Sequence, residues 1–291
     1  MEPELRERAE SCLGLEATTV VRVEEGWDSS VFEINREWIV RVPRREEVRG
    51  WMRKEAALLL LLAPALPVRV PRFEVVEDAG PIFFVAYRKL EGDPLDSQAC
   101  LGTGGAALAA QLGGFLAALH AFPRENAIRA GLADADASGW LEQQRNLAER
   151  CEREAMPLLD RDERRSAQAF FDEFFSAWDS SLDLVLVHAD LGPAHILQRG
   201  STVSGVIDWS DARLGDPVLD LAWLLYGTGT RFADALLRAY AGREMDPTLR
   251  ARALFYHRLG PWHEVLYGLE TERPDLVASG LAGIRQRLPT R

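Results

Sequence analysis

Alternation of apolar and polar positions organises the first ninety residues. The stretch "TTVVRVEEGWDSSVFEINREWIVRVPRR", residues 18–45, changes face every second residue. It is broken by turn residues at Gly26–Ser30 and Asn35–Glu37, so it predicts three short strands. "EEVRGWMRKEAALLLLLAPAL" then carries apolar residues at helical spacing and predicts a helix ending before Pro67. "VPRFEVVEDAGPIFFVAYRKLEG" gives two more strands around a turn at Asp78–Pro81. The expectation is a five-stranded antiparallel sheet with one inserted helix. After "EGDPLD" the period becomes helical. Residues 104–121 form an alanine-rich helix, and residues 139–179 two amphipathic ones. A strand at Leu182–Val187 and another at Ser204–Ile207 precede helices that run to the end. The break near Gly92 divides the chain into two unequal lobes, 1–91 and 92–291, of a mixed α+β protein.

The strand "LVLVHAD" ends in His188 and Asp190, and "GVIDW" ends in Asp208. The turn "RGSTVSG" lies between them, so the two strands are expected to pair as a hairpin and bring both carboxylates together. An aspartate beside a substrate hydroxyl can accept its proton, and a second can hold Mg²⁺, which prefers oxygen ligands. The order His-x-Asp, followed five residues later by a polar group, is the catalytic-loop arrangement of protein kinases, where that last residue is Asn. Here the places are filled by His188, Asp190 and His195. A rival chemistry fits the same residues: His188, Asp190, His195 and Asp208 as a transition-metal cluster of a hydrolase. Each residue alone has a bland reading, a hydrogen-bonded strand-end histidine or a turn aspartate. Four polar groups on two adjacent strand ends favour a site. A separate β-rich lobe favours a nucleotide-dependent kinase over a metallohydrolase.

Composition narrows the partners. The 291 residues carry a formal net charge of −11, which opposes nucleic-acid binding and suits cationic ligands. Only Lys54 and Lys89 are lysines, so any lysine-dependent role has two candidates. Cys12, Cys100 and Cys151 form no C-x-x-C pair and suggest neither a disulfide framework nor a thiolate zinc site. The N-terminus is charged, and the longest apolar run, Ala56–Val68, is too short to span a bilayer. A cytoplasmic protein without membrane partners is expected, as a monomer or weak dimer.

At this point the chain resembles the aminoglycoside phosphotransferase family, including its macrolide-kinase relatives, over residues 18–230. "VHADLGPAHIL" is similar to the family's catalytic loop, and "GVIDWSDARLGDPVLDLAWLL" to its metal-binding strand and following helix. "WIVRVPRR" and "LAPALPVRVPRFEV" resemble the macrolide branch. The resemblance implies a bilobal, protein-kinase-like fold with ATP or GTP as co-substrate and Mg²⁺ as cofactor. It implies Asp190 as catalytic base and His195 and Asp208 as metal ligands. The turn containing Gly26, Asp28, Ser29 and Ser30 would cover the phosphates, and the main chain at Ala86, Tyr87 and Arg88 would meet the purine. Asp216 and Asp220 are expected to be structural, as a helix cap and a polar partner.

Two departures stand out. Arg41 occupies the place of the family's phosphate-pairing lysine, with Glu55 as its partner; arginine offers a charged fork of different reach. His195 stands where many members have Asn, and imidazole is an unusual Mg²⁺ ligand. Relatives with histidine there often accept GTP, so donor preference stays open. For the acceptor, Asp211 is placed to meet a cationic amine, and Trp262, His263, Glu264 and Glu270 are candidate pocket residues. Trp262 has a competing reading as core and the two glutamates as solvated surface. An acidic pocket suits a polycationic aminoglycoside; one acid beside aromatic surface suits a macrolide with a single amine. Two other functions remain open at this level: a kinase of a small metabolite hydroxyl (choline, homoserine or a sugar), and a catalytically weak nucleotide-binding regulatory module.

Overall fold

The computed structural model describes residues 3–25, 28–80, 82–176, 182–240 and 248–288. Helix α1 (Pro3–Leu13) precedes strands β1 (Val20–Glu25), β2 (Ser29–Ile34) and β3 (Trp38–Pro43). Helix α2 (Glu46–Leu62) follows, then β4 (Phe73–Glu77) and β5 (Phe84–Arg88). The five strands form one antiparallel sheet in the order β1-β2-β3-β5-β4. The expected α+β class and five-stranded N-terminal sheet are therefore present. The turn between β2 and β3 is closed by Asn35 and Arg36, both at positive φ, and the Asn35 side chain accepts hydrogen bonds from the amides of Thr18 and Thr19. Asparagine tolerates this conformation better than most residues. One sheet face, with Phe32, Ile34, Trp38, Val40, Phe84 and Ala86, packs on Leu5 and Ala9 of α1. The other, through Val85, meets Val48 and Met52 of α2.

The second part begins with β6 (Asp93–Pro94), α3 (Ser97–Leu101) and α4 (Gly105–His120). It continues through α5 (Arg124–Arg129), α6 (Ala137–Arg150) and α7 (Arg161–Ser176). Strands β7 (Val185–Val187), β8 (Ile196–Arg199), β9 (Thr202–Val206) and β10 (Arg213–Gly215) lie in its middle. Helices α8 (Ala222–Tyr226), α9 (Thr230–Tyr240), α10 (Leu249–Glu270) and α11 (Pro274–Arg287) complete it. The pairing expected here is corrected. The "RGSTVSG" turn joins β8 to β9, while β7 pairs with β10. Apolar alternation identifies a strand but does not name its partner, and the short β7 finds one 26 or more residues downstream.

The two parts share packing. Leu58, Leu59 and Leu62 of α2 belong to the same core as Leu112, Phe115 and Leu116 of α4 and Trp209. The amide of Val206 also donates to the carbonyl of Arg69, 2.9 Å. Where the sequence changes character, Gly92 has φ +138°, and a Cβ there would lie 2.3 Å from Ser204 Oγ. Only glycine satisfies both demands. Helix α2 is thus anchored at its far end in the helical part, which fixes where Glu55 points.

Candidate active site

The catalytic-loop candidate is built on a buried acid. Asp220 is fully buried, and its two oxygens accept the amides of His188 and Ala189, each at 2.8 Å. This holds Ala189 at φ +70°, a conformation that a non-glycine residue adopts only under constraint. His120 contacts the same carboxylate through Nε2 at 3.3 Å and the Tyr240 hydroxyl through Nδ1 at 2.8 Å. Asp216 caps the turn at Pro217–Leu219 and is paired with Arg252 at 2.8 Å; the Tyr256 hydroxyl donates to it at 3.2 Å. Asp220 thus supports the loop directly, while Asp216 ties the turn at Pro217–Leu219 to α10. Sequence reasoning did not name His120 or Arg252, because each lies in a helix remote in sequence from the loop, and it placed Tyr256 with the acceptor candidates, whereas its hydroxyl is spent on Asp216.

His188 is committed at both nitrogens. Nε2–H donates to the Ile207 carbonyl at 2.9 Å, and Nδ1 accepts the Asp190 amide at 3.3 Å. No lone pair remains for a metal. Among the described residues, no group of three or more His, Cys, Asp or Glu side chains is arranged to hold a metal ion by itself. Both facts weigh against the hydrolase cluster.

His195 has the opposite arrangement. Its Nδ1–H donates to the Asp190 carbonyl at 2.7 Å, which leaves the Nε2 lone pair facing Asp208 Oδ2 at 3.6 Å. Two acceptors facing each other across that gap suit a cation between them. Asp208 itself sits at φ +62°, accepts a hydrogen bond from Ser210 at 3.0 Å, and lies 3.7 Å from Arg41 Nη2. Burial works to raise its pKa, but Arg41, His195 and His188 outweigh this and hold the carboxyl below the usual aspartate range. Asp190 behaves in the other direction. Burial raises its pKa, His195 partly offsets the rise, and the nearby Asp211 adds to it. Two neighbouring carboxyls are thus pushed apart, one toward a permanent anion and one toward a proton acceptor.

Arg41 joins this group from the N-terminal sheet. It is 7% exposed and Glu55 is 3% exposed. One guanidinium nitrogen donates to both Glu55 oxygens, at 2.8 and 3.0 Å. Burial raises the Glu55 pKa while Arg41 and the Trp209 backbone oppose the rise. The pair is internal. A continuous line of polar contacts therefore runs from Glu55 through Arg41, Asp208 and His195 to Asp190.

The other expected positions are less uniform. Gly26 lies outside the described residues. Asp28 is paired with Arg45, and its carbonyl accepts the Arg44 amide at 2.9 Å. Ser29 is buried and Ser30 half-buried, opposite Pro43 and Val42. The expectation for Ala86 and Tyr87 needs correction. β5 lies between β3 and β4, so their main chain faces sheet neighbours on both sides. Pairing to β4 ends at Tyr87, and the first main chain open on that side is at Arg88, whose side chain covers the Trp38 ring at 4.1 Å. The Tyr87 side chain is buried against Phe73.

Asp211 is exposed on the same segment as Asp208, and burial among its neighbours raises its pKa against the pull of Arg213. His263 is an exposed residue, yet burial by the surrounding protein, with Arg213 and Arg150, pushes its pKa down to about 4. Trp262 is 0% exposed and packs edge-on against Phe171, so it offers no surface to an acceptor. Glu270 is paired with Arg150 at 3.0 Å. Glu264 is half-buried and acts electrostatically on Arg287. Of the five acceptor candidates, Asp211 and His263 share the neighbourhood of Arg213.

Comparison with known proteins points the same way. Viomycin phosphotransferase of Streptomyces vinaceus is 28% identical over 211 residues, 69% of each chain. The GDP and kanamycin complex of APH(2")-IIia superposes with a TM-score of 0.87 at 25% identity, covering 98% of each chain. The apoenzyme of macrolide 2'-phosphotransferase MphH from Brachybacterium faecium gives 0.77 at 25% identity, covering 100% of each. The model of the phosphotransferase enzyme family, APH, matches residues 19–255, from the first strand of the sheet into α10. That span includes every residue of the polar line described above, and the chain belongs to this family.

Proposed function

We propose that this protein transfers the γ-phosphate of ATP or GTP to a hydroxyl of a cationic antibiotic, an aminoglycoside or a macrolide. The observation that carries the reading is the polar line from Glu55 to Asp190, which couples a sheet arginine to two loop carboxylates of opposite pKa tendency. Residues 1–91 act as the nucleotide lobe and 92–291 as the catalytic and acceptor lobe. The viomycin, kanamycin and macrolide enzymes among its relatives support an antibiotic as acceptor. Among the described residues no helix is long and apolar enough to cross a membrane, and a cytoplasmic site of action fits a nucleotide-dependent enzyme.

In this mechanism Asp190 orients the acceptor hydroxyl and takes its proton as the new O–P bond forms. Its raised pKa suits a proton acceptor. Asp208 and His195 would hold Mg²⁺, which neutralises charge on the nucleotide phosphates. One carboxylate and one imidazole do not make a complete cage, in keeping with an ion that binds through few protein groups and the substrate's own phosphates. Arg41, kept in place by Glu55, directs a second cation at the same phosphates. Phosphoryl transfer depends on such positioning and charge neutralisation more than on covalent chemistry. Asp211 binds a cationic amine of the acceptor.

The test is a screen of ATP and GTP against aminoglycosides, macrolides, viomycin and metabolite alcohols, read as product mass gain of one phosphate. Phosphorylation of an antibiotic supports the proposal. Transfer only to choline, homoserine or a sugar assigns the site to metabolite chemistry. Nucleotide binding without turnover on any acceptor points to a regulatory module.

A further inference from the structure

Helices α8, α10 and the end of α11 border an open recess of about 420 Å³ that shares no lining residue with the polar line around Asp190. Trp223 and Tyr226 of α8, His257 and Arg258 of α10, and Gln286 and Arg287 of α11 line it. The two arginines buried as whole residues have carboxylate partners, Arg41 with Glu55 and Arg252 with Asp216, whereas Arg258 and Arg287 are half-buried. Here, among the described residues, neither Arg258 nor Arg287 has a carboxylate within ion-pair distance, although Glu264 acts electrostatically on Arg287. Arg258 Nε is buried without any hydrogen-bond partner. Arg287 donates Nη1 only to the His257 carbonyl, at 2.6 Å. A buried donor atom without a partner, beside a second guanidinium lining the same recess, is unfavourable unless an anion joins them.

The remaining wall is aromatic. The Tyr226 hydroxyl donates to the Arg250 carbonyl at 2.7 Å, which fixes its ring 5.8 Å from that of His257. Burial, Arg287 and Arg258 together hold His257 at a pKa of about 4, so near neutral pH its imidazole is uncharged and presents a flat polar ring. Guanidinium groups arriving from two different helices suit a tetrahedral oxyanion, because one fork already saturates a planar carboxylate.

We propose that this recess is a second ligand site, which binds a phosphate monoester carried on a flat ring, with the phosphate on Arg258 and Arg287 and the ring against Tyr226 and His257. Isothermal titration calorimetry of the full chain with phenyl phosphate, inorganic phosphate and benzoate tests it. Phenyl phosphate is expected to bind at one site and to lose about tenfold or more in affinity in R258Q and in R287Q, the scale of one charge-assisted hydrogen bond. Inorganic phosphate and benzoate are each expected to bind at least about tenfold more weakly than phenyl phosphate. If R258Q does not fold, R258K, which keeps the charge and loses the fork, is expected to show the loss instead. Absence of phenyl phosphate binding, binding indifferent to the arginine substitutions, or benzoate binding as tight as phenyl phosphate would each overturn the assignment. None of these measurements uses phosphotransfer, so they stand apart from the proposed reaction.

Discussion

Replacing Arg41 by methionine separates its structural role from its chemical one. The substitution leaves the Glu55 carboxylate 3% exposed, with the Trp209 backbone as its remaining favourable neighbour. Breaking a buried ion pair from one side costs about 3–5 kcal/mol. Removing both charges is different: R41M/E55M puts two apolar side chains of similar volume in the same space, and should return to within about 1–2 kcal/mol of wild type. The pH dependence has a definite sign. Burial raises the Glu55 pKa in the folded protein, and Arg41 restrains that rise. Without Arg41 the folded-state pKa climbs further above the unfolded value. The native state then holds its proton more tightly, so stability is retained at acid pH and lost as pH rises through the folded pKa. Urea denaturation of R41M should therefore show a smaller deficit near about pH 5 than near about pH 8. In R41M/E55M that pH dependence should vanish. Activity should follow neither curve. Both variants lack the cation 3.7 Å from Asp208, so kcat/KM should stay down by about 10²-fold even where stability is restored. An R41M variant within about 1 kcal/mol of wild type at neutral pH refutes the buried-pair argument. Full activity in the double variant refutes a role for Arg41 in transfer.

Three further outcomes are expected. D190A should lower kcat by at least about 10²-fold with little change in nucleotide KM, measured by steady-state kinetics; near-normal kcat would remove Asp190 from the reaction. D220N turns one acceptor of the loop amides into a donor, and should cost about 2–4 kcal/mol by urea denaturation, with kcat falling as Ala189 relaxes from φ +70°. A cost under about 0.5 kcal/mol would show that the loop is held by other contacts. W262A should cost about 3–5 kcal/mol and leave the acceptor KM unchanged, because the ring is core; a selective rise in acceptor KM would return it to the pocket.

How much of this was legible in the sequence depended on whether a pattern was local. The N-terminal strands could be read because each buries one face and alternates accordingly, and α2 because six of its seventeen residues are buried at helical spacing. Helix α1 was not read. Of its residues only Leu5 and Ala9 are buried, and the charged residues between them resemble a solvated tail. The main chain at Ala86 and Tyr87 is less open than expected, since β5 reads as a strand without revealing that both its sides are occupied. The acceptor glutamates were drawn to arginines on other elements, which no spacing discloses.

The convergence of Asp190 and Asp208 is the instructive case, because it was expected for a reason that proved incorrect. A hairpin between their two strands was to bring them together, yet β7 pairs with β10 and β9 with β8. What joins the two strand ends is a side chain. His188 sits on the Asp220 carboxylate through its amide, reaches across through Nε2 to the Ile207 carbonyl, and receives the Asp190 amide on Nδ1. One buried imidazole thus fixes residues 188, 190 and 207 relative to each other, and Asp208 follows by one peptide unit. The Ile207 amide reinforces this by donating to the His195 carbonyl at 2.9 Å. A strand ladder would hold the strands but leave their ends free to fray. A bridging histidine holds the ends themselves, where the carboxylates are, and explains why a buried strand delivers a histidine two residues before its aspartate.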